Sequence, residues 1–302
     1  MILPDKKSVI YIALDHIEGV QVRLGPKPTL KTIAQFPATL DNFQETLLSL
    51  KKSLGSKVKV LLTEDFVYVV SVAVPIEAED QKEELEKKAQ EMIPEPLSQT
   101  VWTYKKELTL KDKNVHIIQV VAAVKSRFER LSEALSKNQF EVETLLPVSL
   151  AIARLLKKDK DPKLIIYVGK PNLLILLEYE LVIATEQLPL LDNINHIKTF
   201  LEFAKSKYNL IPKKIIISGS LSVDLSSLGE EGFEIQNQDL NPYLAIALIA
   251  KKDKNNILNL PLMDIKEESP AQEETKAKEH PTPSPATPIA PIAAKKSKFS
   301  LE

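Results

Sequence analysis

One pattern of elements occurs twice in this chain, and it constrains the fold more than anything else in the sequence. From Leu164 onward the chain reads LIIYVG, NLLILLEYE and LVIATEQL, three apolar β-favouring runs. A helical Leu/Ile/Phe pattern then ends near Tyr208, and residues 214–218 make a further apolar strand. The N-terminal part has the same order: β-rich runs at 8–14, 20–24 and 30–36, helical spacing over 41–54, and an apolar run at 58–62. Such a repeat specifies a duplicated α/β domain, each half a sheet covered by helices, with a cleft between the halves where function is expected.

The spacing predicts first-half helices and strands in detail. Helix 41–54 turns Phe43, Leu47, Leu50 and Leu54 inward, with Asp41 as N-cap and Gly55 as a left-handed C-cap. After 58–62 a strand at 66–74 is ended by Pro75, and a charged helix at 79–93 comes next. Its apolar stripe is Leu85, Ala89, Met92 and Ile93, its surface pairs are Glu83 with Lys87 and Glu84 with Lys88, and Pro94 stops it. Strands at 101–108 and 115–124 complete a block, about 64–124, that reads as a small α+β subdomain inserted in the first half. Helix 125–138, strand 140–145 and helix 149–156 close that half.

These elements set the domain boundaries: 1–160 for the first half with its insert, 161–262 for the second, and a hinge at 157–163, KKDKDPK. The last helix, 241–250, opens on Asn241 as cap with Pro242 at its first position. Residues 263–302 are Lys/Glu-rich and then Pro-rich (Pro281, Pro283, Pro285, Pro288, Pro291), without periodicity or aromatic anchors before Phe299. They are expected to form a disordered tail. Hydrophobic residues make up 44% of the 302, enough for a core in each half.

Composition removes several chemistries. Forty basic residues against forty-one acidic ones leave no global attraction to nucleic acid. The absence of cysteine excludes disulfides, thiolate nucleophiles and Cys-based zinc sites, and fits a reducing compartment. His16, His116, His196 and His280 are scattered singly, so no metal site is expected. Glu64 and Asp65 are adjacent and point apart, which does not make an acid/base pair. Neither a G-x-S-x-G turn nor a G-x-x-x-x-G-K-[ST] loop occurs, and seven glycines leave few residues to wrap phosphates. The N-terminus lacks an apolar signal region and the apolar runs, such as 243–250, are shorter than a membrane span. A soluble chain is expected.

The phrase VYVVSVAVPIEAEDQKEELEKKAQEMIPEPLSQTVWTY resembles the insert of the PilM family of type IV pilus assembly proteins: strand, proline, acidic helix, Ile-Pro-x-Pro, strand. VVAAVKSRFERLSEALSKNQFEVETLLPVSLAIARLL matches the family's segment after the insert, and NPYLAIALIAKK its last helix. The likeness covers roughly residues 8–262; siblings are the cytoplasmic part of a type II secretion L protein and FtsA-like division proteins. It implies a duplicated actin-like, ribonuclease H-like fold with a small α+β subdomain in its first half.

The resemblance also implies ATP held by two Asp-x-Gly turns and a Gly-Gly turn, and here these are eroded. The first falls in ALDHIEG, where Asp15 or its neighbour is the candidate acid and no glycine stands in place after it. The second is YVGKPN, which keeps Gly169 but has Tyr167 where the metal-facing aspartate belongs and Pro171 in place of a backbone donor. The third is ISGSLS, with Gly219 lacking its partner glycine. No catalytic residue, metal or cofactor is expected, ATP with Mg²⁺ included. On their own, Gly169 and Gly219 read as tight strand-end turns.

The resemblance implies a non-catalytic scaffold at the cytoplasmic face of the inner membrane, in a pilus or type II secretion platform. Its partners would be the N-terminal peptide of a PilN-like single-span protein and other platform components. The alternatives are a nucleotide-switched actin-like ATPase and an FtsA-like division protein. Candidate partner-binding residues are Leu85, Met92 and Ile93 of the insert, which also read as that subdomain's own core. NILNLPL adds Leu258, Asn259, Leu260 and Pro261, because it resembles the partner's Ile-Asn-Leu-Leu-Pro peptide; by itself it reads as a last apolar edge packed on its own domain. Lys295, Lys296 and Lys298 are candidates for an anionic membrane surface.

Overall fold

The chain, described from a computed structural model over residues 5–156, 160–179, 181–188, 194–250 and 260, starts with an antiparallel meander of β1 (Asp5–Ile12), β2 (His16–Leu24) and β3 (Thr29–Pro37). Helix α1 (Phe43–Leu54) crosses to β4 (Lys57–Leu62), parallel to β1. The chain then leaves this sheet to build β5 (Val67–Pro75), α2 (Gln81–Met92), β6 (Thr100–Leu110) and β7 (Val115–Val124). It returns through α3 (Lys125–Lys137) to β8 (Glu141–Pro147), parallel to β4, and α4 (Val148–Ala153).

The second half repeats the scheme. β9 (Lys163–Tyr167), β10 (Asn172–Glu178) and β11 (Leu181–Leu188) form the meander, α5 (Ile194–Tyr208) crosses over, and β12 (Lys214–Ser218) runs parallel to β9. Then come α6 (Ser226–Glu230), β13 (Glu234–Asn237) parallel to β12, and α7 (Pro242–Ala247). Strand order is β3-β2-β1-β4-β8 in one sheet and β11-β10-β9-β12-β13 in the other. The two sheets agree strand for strand in order and direction, so the duplication legible in the sequence is a duplication of topology.

The central strands carry continuous apolar runs because both faces are covered. Val9 to Ile12 and Leu173 to Leu177 are buried without alternation. Residues of both sheets, α4 and α7 share one core, and α5 seals the outer face of the second sheet with Ile197, Phe200 and Ala204. Lys59 is buried at 2% exposure within this arrangement. Its Nζ donates to the carbonyls of Ile246 (2.9 Å), Ala247 (3.3 Å) and Ile249 (2.5 Å), tying the end of α7 to the first sheet.

Several expectations are corrected at element ends. Asn42, not Asp41, stands at the cap position of α1; Asp41 is exposed and accepts from Arg130 Nη1 at 2.9 Å. Gly55 has φ 81° and ψ −174°, so it is extended with positive φ rather than left-handed helical, although its N–H still bonds Lys51 O at 2.9 Å. Helix α2 is capped by Asp80, whose Oδ1 accepts from the N–H groups of Lys82 and Glu83. Glu84 pairs with Lys88 as expected, and Lys82 with Glu86 makes the second pair on that surface. Neither α6 nor β13 was expected, and α4 and α7 are shorter than their spacing predicts.

The insert is the three-stranded sheet β5-β7-β6 under α2. Leu85, Ala89 and Ile93 pack there with Val70, Val72, Val74, Val120 and Ala122, while Val69, Val121 and Ala123 point into the main core. A side-chain amide fastens the insert to the second half. Gln119 Nε2 donates to Val70 O (2.7 Å) and Val182 O (3.0 Å), and its Oε1 accepts from Val182 N (3.0 Å). Ser71 Oγ adds a bond to Val182 O at 2.9 Å. Residues 157–159 of the expected hinge, and the expected tail, lie outside the described residues.

Candidate functional site

The C-terminal ends of the first strands of both sheets, β1 and β9, face each other through Tyr11 and Tyr167, at the end of the strands where open α/β sheets place their ligands. The first sheet contributes the turn after β1, the Thr63-Glu64-Asp65 segment after β4, and the β8–α4 junction. The second contributes the turns after β9 and β12. Those turns hold the residues that the sequence singled out.

In the first turn, Asp15 points out, with its side chain 85% exposed, and takes His16 Nδ1 at 2.6 Å. The backbone donor of the turn, Leu14 N–H, goes to Asp65 Oδ2 at 3.1 Å. Asp65 accepts from Thr63 Oγ1, which also lies 3.2 Å from Ile12 O. A carboxylate thus occupies a donor that a phosphate-binding turn offers to an anion. Glu64 has a different partner from Asp65: its Oε1 accepts Ser149 N–H at 2.8 Å. Its Oε2 is sealed from solvent and has no partner among the described residues, as is true of Ser149 Oγ and Tyr11 Oη. Burial raises the Glu64 carboxyl to about 7, against the opposing bond from Ser149 N–H.

In the second turn the ring of Tyr167 lies over Gly169. A Cβ on that glycine would stand 2.3 Å from Tyr167 Cε1, so the glycine leaves room for the ring. The third turn packs against the second. Gly219 has φ 101°, and a Cβ there would meet Val168 O at 2.6 Å, while Val168 N–H donates to Ser218 O at 2.7 Å.

Two more tyrosines fill the space between the halves. Tyr11 of β1 and Tyr243 of α7 have ring centroids 5.7 Å apart, and Tyr11 also lies 5.5 Å from the His16 ring. Tyr243 Oη donates to Glu18 Oε2 at 2.9 Å across the two halves, and Glu18 Oε1 accepts from Thr32 Oγ1 at 2.8 Å. Burial raises all three phenols, Tyr167 to about 12 and Tyr11 and Tyr243 further, and Glu18 adds to the rise at Tyr167 and Tyr243. The phenols therefore stay neutral. Glu18, Glu64 and Asp65 surround these rings, an unfavourable field for a polyphosphate. The sequence reading missed Tyr11, Tyr243, Glu18 and the role of Asp65. A tyrosine inside an otherwise aliphatic strand, VIYIAL, was the available signal.

The other candidates are dispersed. Leu85 and Ile93 are 1% and 2% exposed inside the insert's core. Met92 instead reaches a groove of about 410 Å³ between the insert and the second half, lined also by Val72, Ile117, Leu181, Tyr208 and Leu210. Leu260, at 2% exposure, is packed in the main core. Leu258, Asn259, Pro261, Lys295, Lys296 and Lys298 lie outside the described residues. Among the described residues no cluster of three metal-ligating side chains occurs, and no helix is long and apolar enough to cross a membrane.

No protein-family model and no curated sequence matches the chain. Solved structures do, among them the following two. A chain of the PilM-PilN type IV pilus biogenesis complex superposes with TM-score 0.57 at 18% identity, over 82% of this chain and 94% of that one. The cytoplasmic domain of EpsL, an inner-membrane component of the type II secretion system of Vibrio cholerae, superposes with TM-score 0.53 at 13% identity, over 85% and 98%. At these identities the likeness establishes the fold, and it is the duplicated actin-like architecture expected from the sequence.

Proposed function

We propose that this chain is a non-catalytic actin-like scaffold of a type IV pilus or type II secretion platform, working at the cytoplasmic face of the inner membrane. It would bind the N-terminal peptide of a PilN-like single-span protein beside the inserted subdomain. The observation that carries the reading is the cleft: Asp65 takes the first turn's donor and the Tyr167 ring covers the second turn's glycine, while the insert beside it is fully built. The superposition on a chain of a PilM-PilN complex over most of both chains supports the partner class.

Calorimetry tests the two parts separately. Mg-ATP is expected to give no heat of binding, and micromolar affinity overturns the non-catalytic part. The cytoplasmic N-terminal peptide of a single-span protein encoded beside this chain is expected to bind, and Met92→Glu is expected to weaken it at least tenfold. Unchanged binding by that variant places the peptide elsewhere.

A further inference from the structure

The pole opposite the cleft is basic. It gathers the start of β1, the β2–β3 turn, the end of α1 and the starts of β4 and β8. A groove of about 480 Å³ opens there, lined by Lys6, Lys7, Ser53, Ser56, Lys57 and Glu143, with buried Lys59 in its wall. Lys7 pairs with Asp5 at 3.1 Å and Lys57 with Glu141 at 3.5 Å, exposed pairs that hold their partners weakly. Lys6 and Arg23 are cross-strand neighbours. Both are exposed, as are Lys27 and Lys52, and none of these four makes an ion pair among the described residues. The last carbonyls of α1 do not oppose an anion, because Ser8 Oγ takes Leu54 O at 2.8 Å and Gln21 Nε2 takes Ser53 O at 3.3 Å.

We propose that this pole binds the phosphates of anionic phospholipids and seats the molecule on a bilayer. The cations run from the groove across an open face to Arg23, Lys27 and Lys52, and the groove's lining has no aromatic ring to hold a base. That distribution fits phosphates presented side by side in a surface better than one small anion. Each basic side chain near an anionic leaflet multiplies affinity about fivefold, less at high salt. The contact extends the membrane-face reading above without depending on the partner peptide.

Flotation of the full chain with vesicles is the test. Vesicles of phosphatidylcholine carrying about 30% phosphatidylglycerol are expected to retain the protein, vesicles of phosphatidylcholine alone are not, and about 0.3 M NaCl should release it. Lys6→Glu with Arg23→Glu is expected to cost at least about tenfold in retention. Lys27→Glu with Lys52→Glu, in a different loop and helix, serves as a second pair should the first melt early. Retention by both pairs equal to that of the unaltered chain overturns the proposal, as does equal retention without phosphatidylglycerol. Displacement by about 10 mM inorganic phosphate at constant ionic strength assigns the groove to a free anion and also overturns it. Peptide binding by the Lys6→Glu, Arg23→Glu chain reports on the proposed function independently.

Discussion

The two halves share a strand order and differ at one crossover, between the parallel strands next to the cleft. In the first half the chain leaves β4 at Leu62 and returns at Glu141 after building the insert and α3. In the second it leaves β12 at Ser218 and returns at Glu234 with only α6. The first residues after each strand do opposite things. Glu64 and Asp65 bring carboxylates, with Thr63 Oγ1 holding the second, whereas Gly219 brings bare backbone against Val168. One half closes its turn by occupying a donor, the other by filling volume, and the two closures respond differently to mutation.

The largest effect is expected where the long crossover grips the short one's sheet. Gln119→Ala removes the partner of Val182 N–H in a buried place while Ser71 still serves Val182 O. An orphaned buried donor plus the lost packing should cost about 2–4 kcal/mol, several degrees in melting temperature. A melting shift under about 2 °C would mean that the insert is not fastened there.

Gly219→Ala ranks next. It places a side chain at φ 101° and drives its Cβ to 2.6 Å from a backbone oxygen, which cannot swing away. A cost of about 1–3 kcal/mol is expected for the conformation, with the clash in addition. Gly55→Ala is the control from the first half: φ is also positive, at 81°, but the space around it is open, so thermal melts should rank it well below Gly219→Ala.

Glu64→Gln sharpens the electrostatic side of the comparison. The folded-state value of about 7 lies above the 4.5 of the unfolded chain, so the folded state holds this proton more tightly. Stability from this group is therefore greatest below pH 4.5 and is lost as pH rises from 4.5 through 7. Gln keeps an acceptor for Ser149 N–H and carries no charge. The variant should gain roughly 1–3 kcal/mol over the unaltered chain at about pH 8 and nothing near pH 4.5, read from denaturant midpoints. Equal midpoints at both pH values would show that the Glu64 carboxyl is not desolvated.

Much of this was legible from the sequence because burial on both faces makes central strands uninterrupted apolar runs, and because the order of those runs repeats. β13 escaped because EIQN is short, polar and on an edge, with only Ile235 partly covered. Lys59 escaped because KVKVLL reads as alternating, although its second lysine turns inward onto three carbonyls. Tyr167 and Pro171 in the second turn could be read directly; what surrounds them could not. Tyr11, Tyr167 and Tyr243 come from three distant segments, and only the closure of the two halves brings their rings together.

The smallest expected effect is the most pointed one. Tyr167→Asp with Pro171→Gly restores an acid and a backbone donor to the second turn, and if volume alone closed the cleft, Mg-ATP binding should return. The first turn argues otherwise. Leu14 N–H remains bonded to Asp65 at 3.1 Å, and Glu18 and Glu64 still surround the remaining rings, so the new aspartate joins a set of carboxylates that a polyphosphate must face. Calorimetry of the double variant is therefore expected to show no Mg-ATP heat, like the unaltered chain. Adding Asp65→Ser, which frees Leu14 N–H and removes one charge, is the step from which binding should first emerge. Binding by the double variant alone would show that filled volume was the whole obstacle and that the two halves do not differ in the way their crossovers suggest.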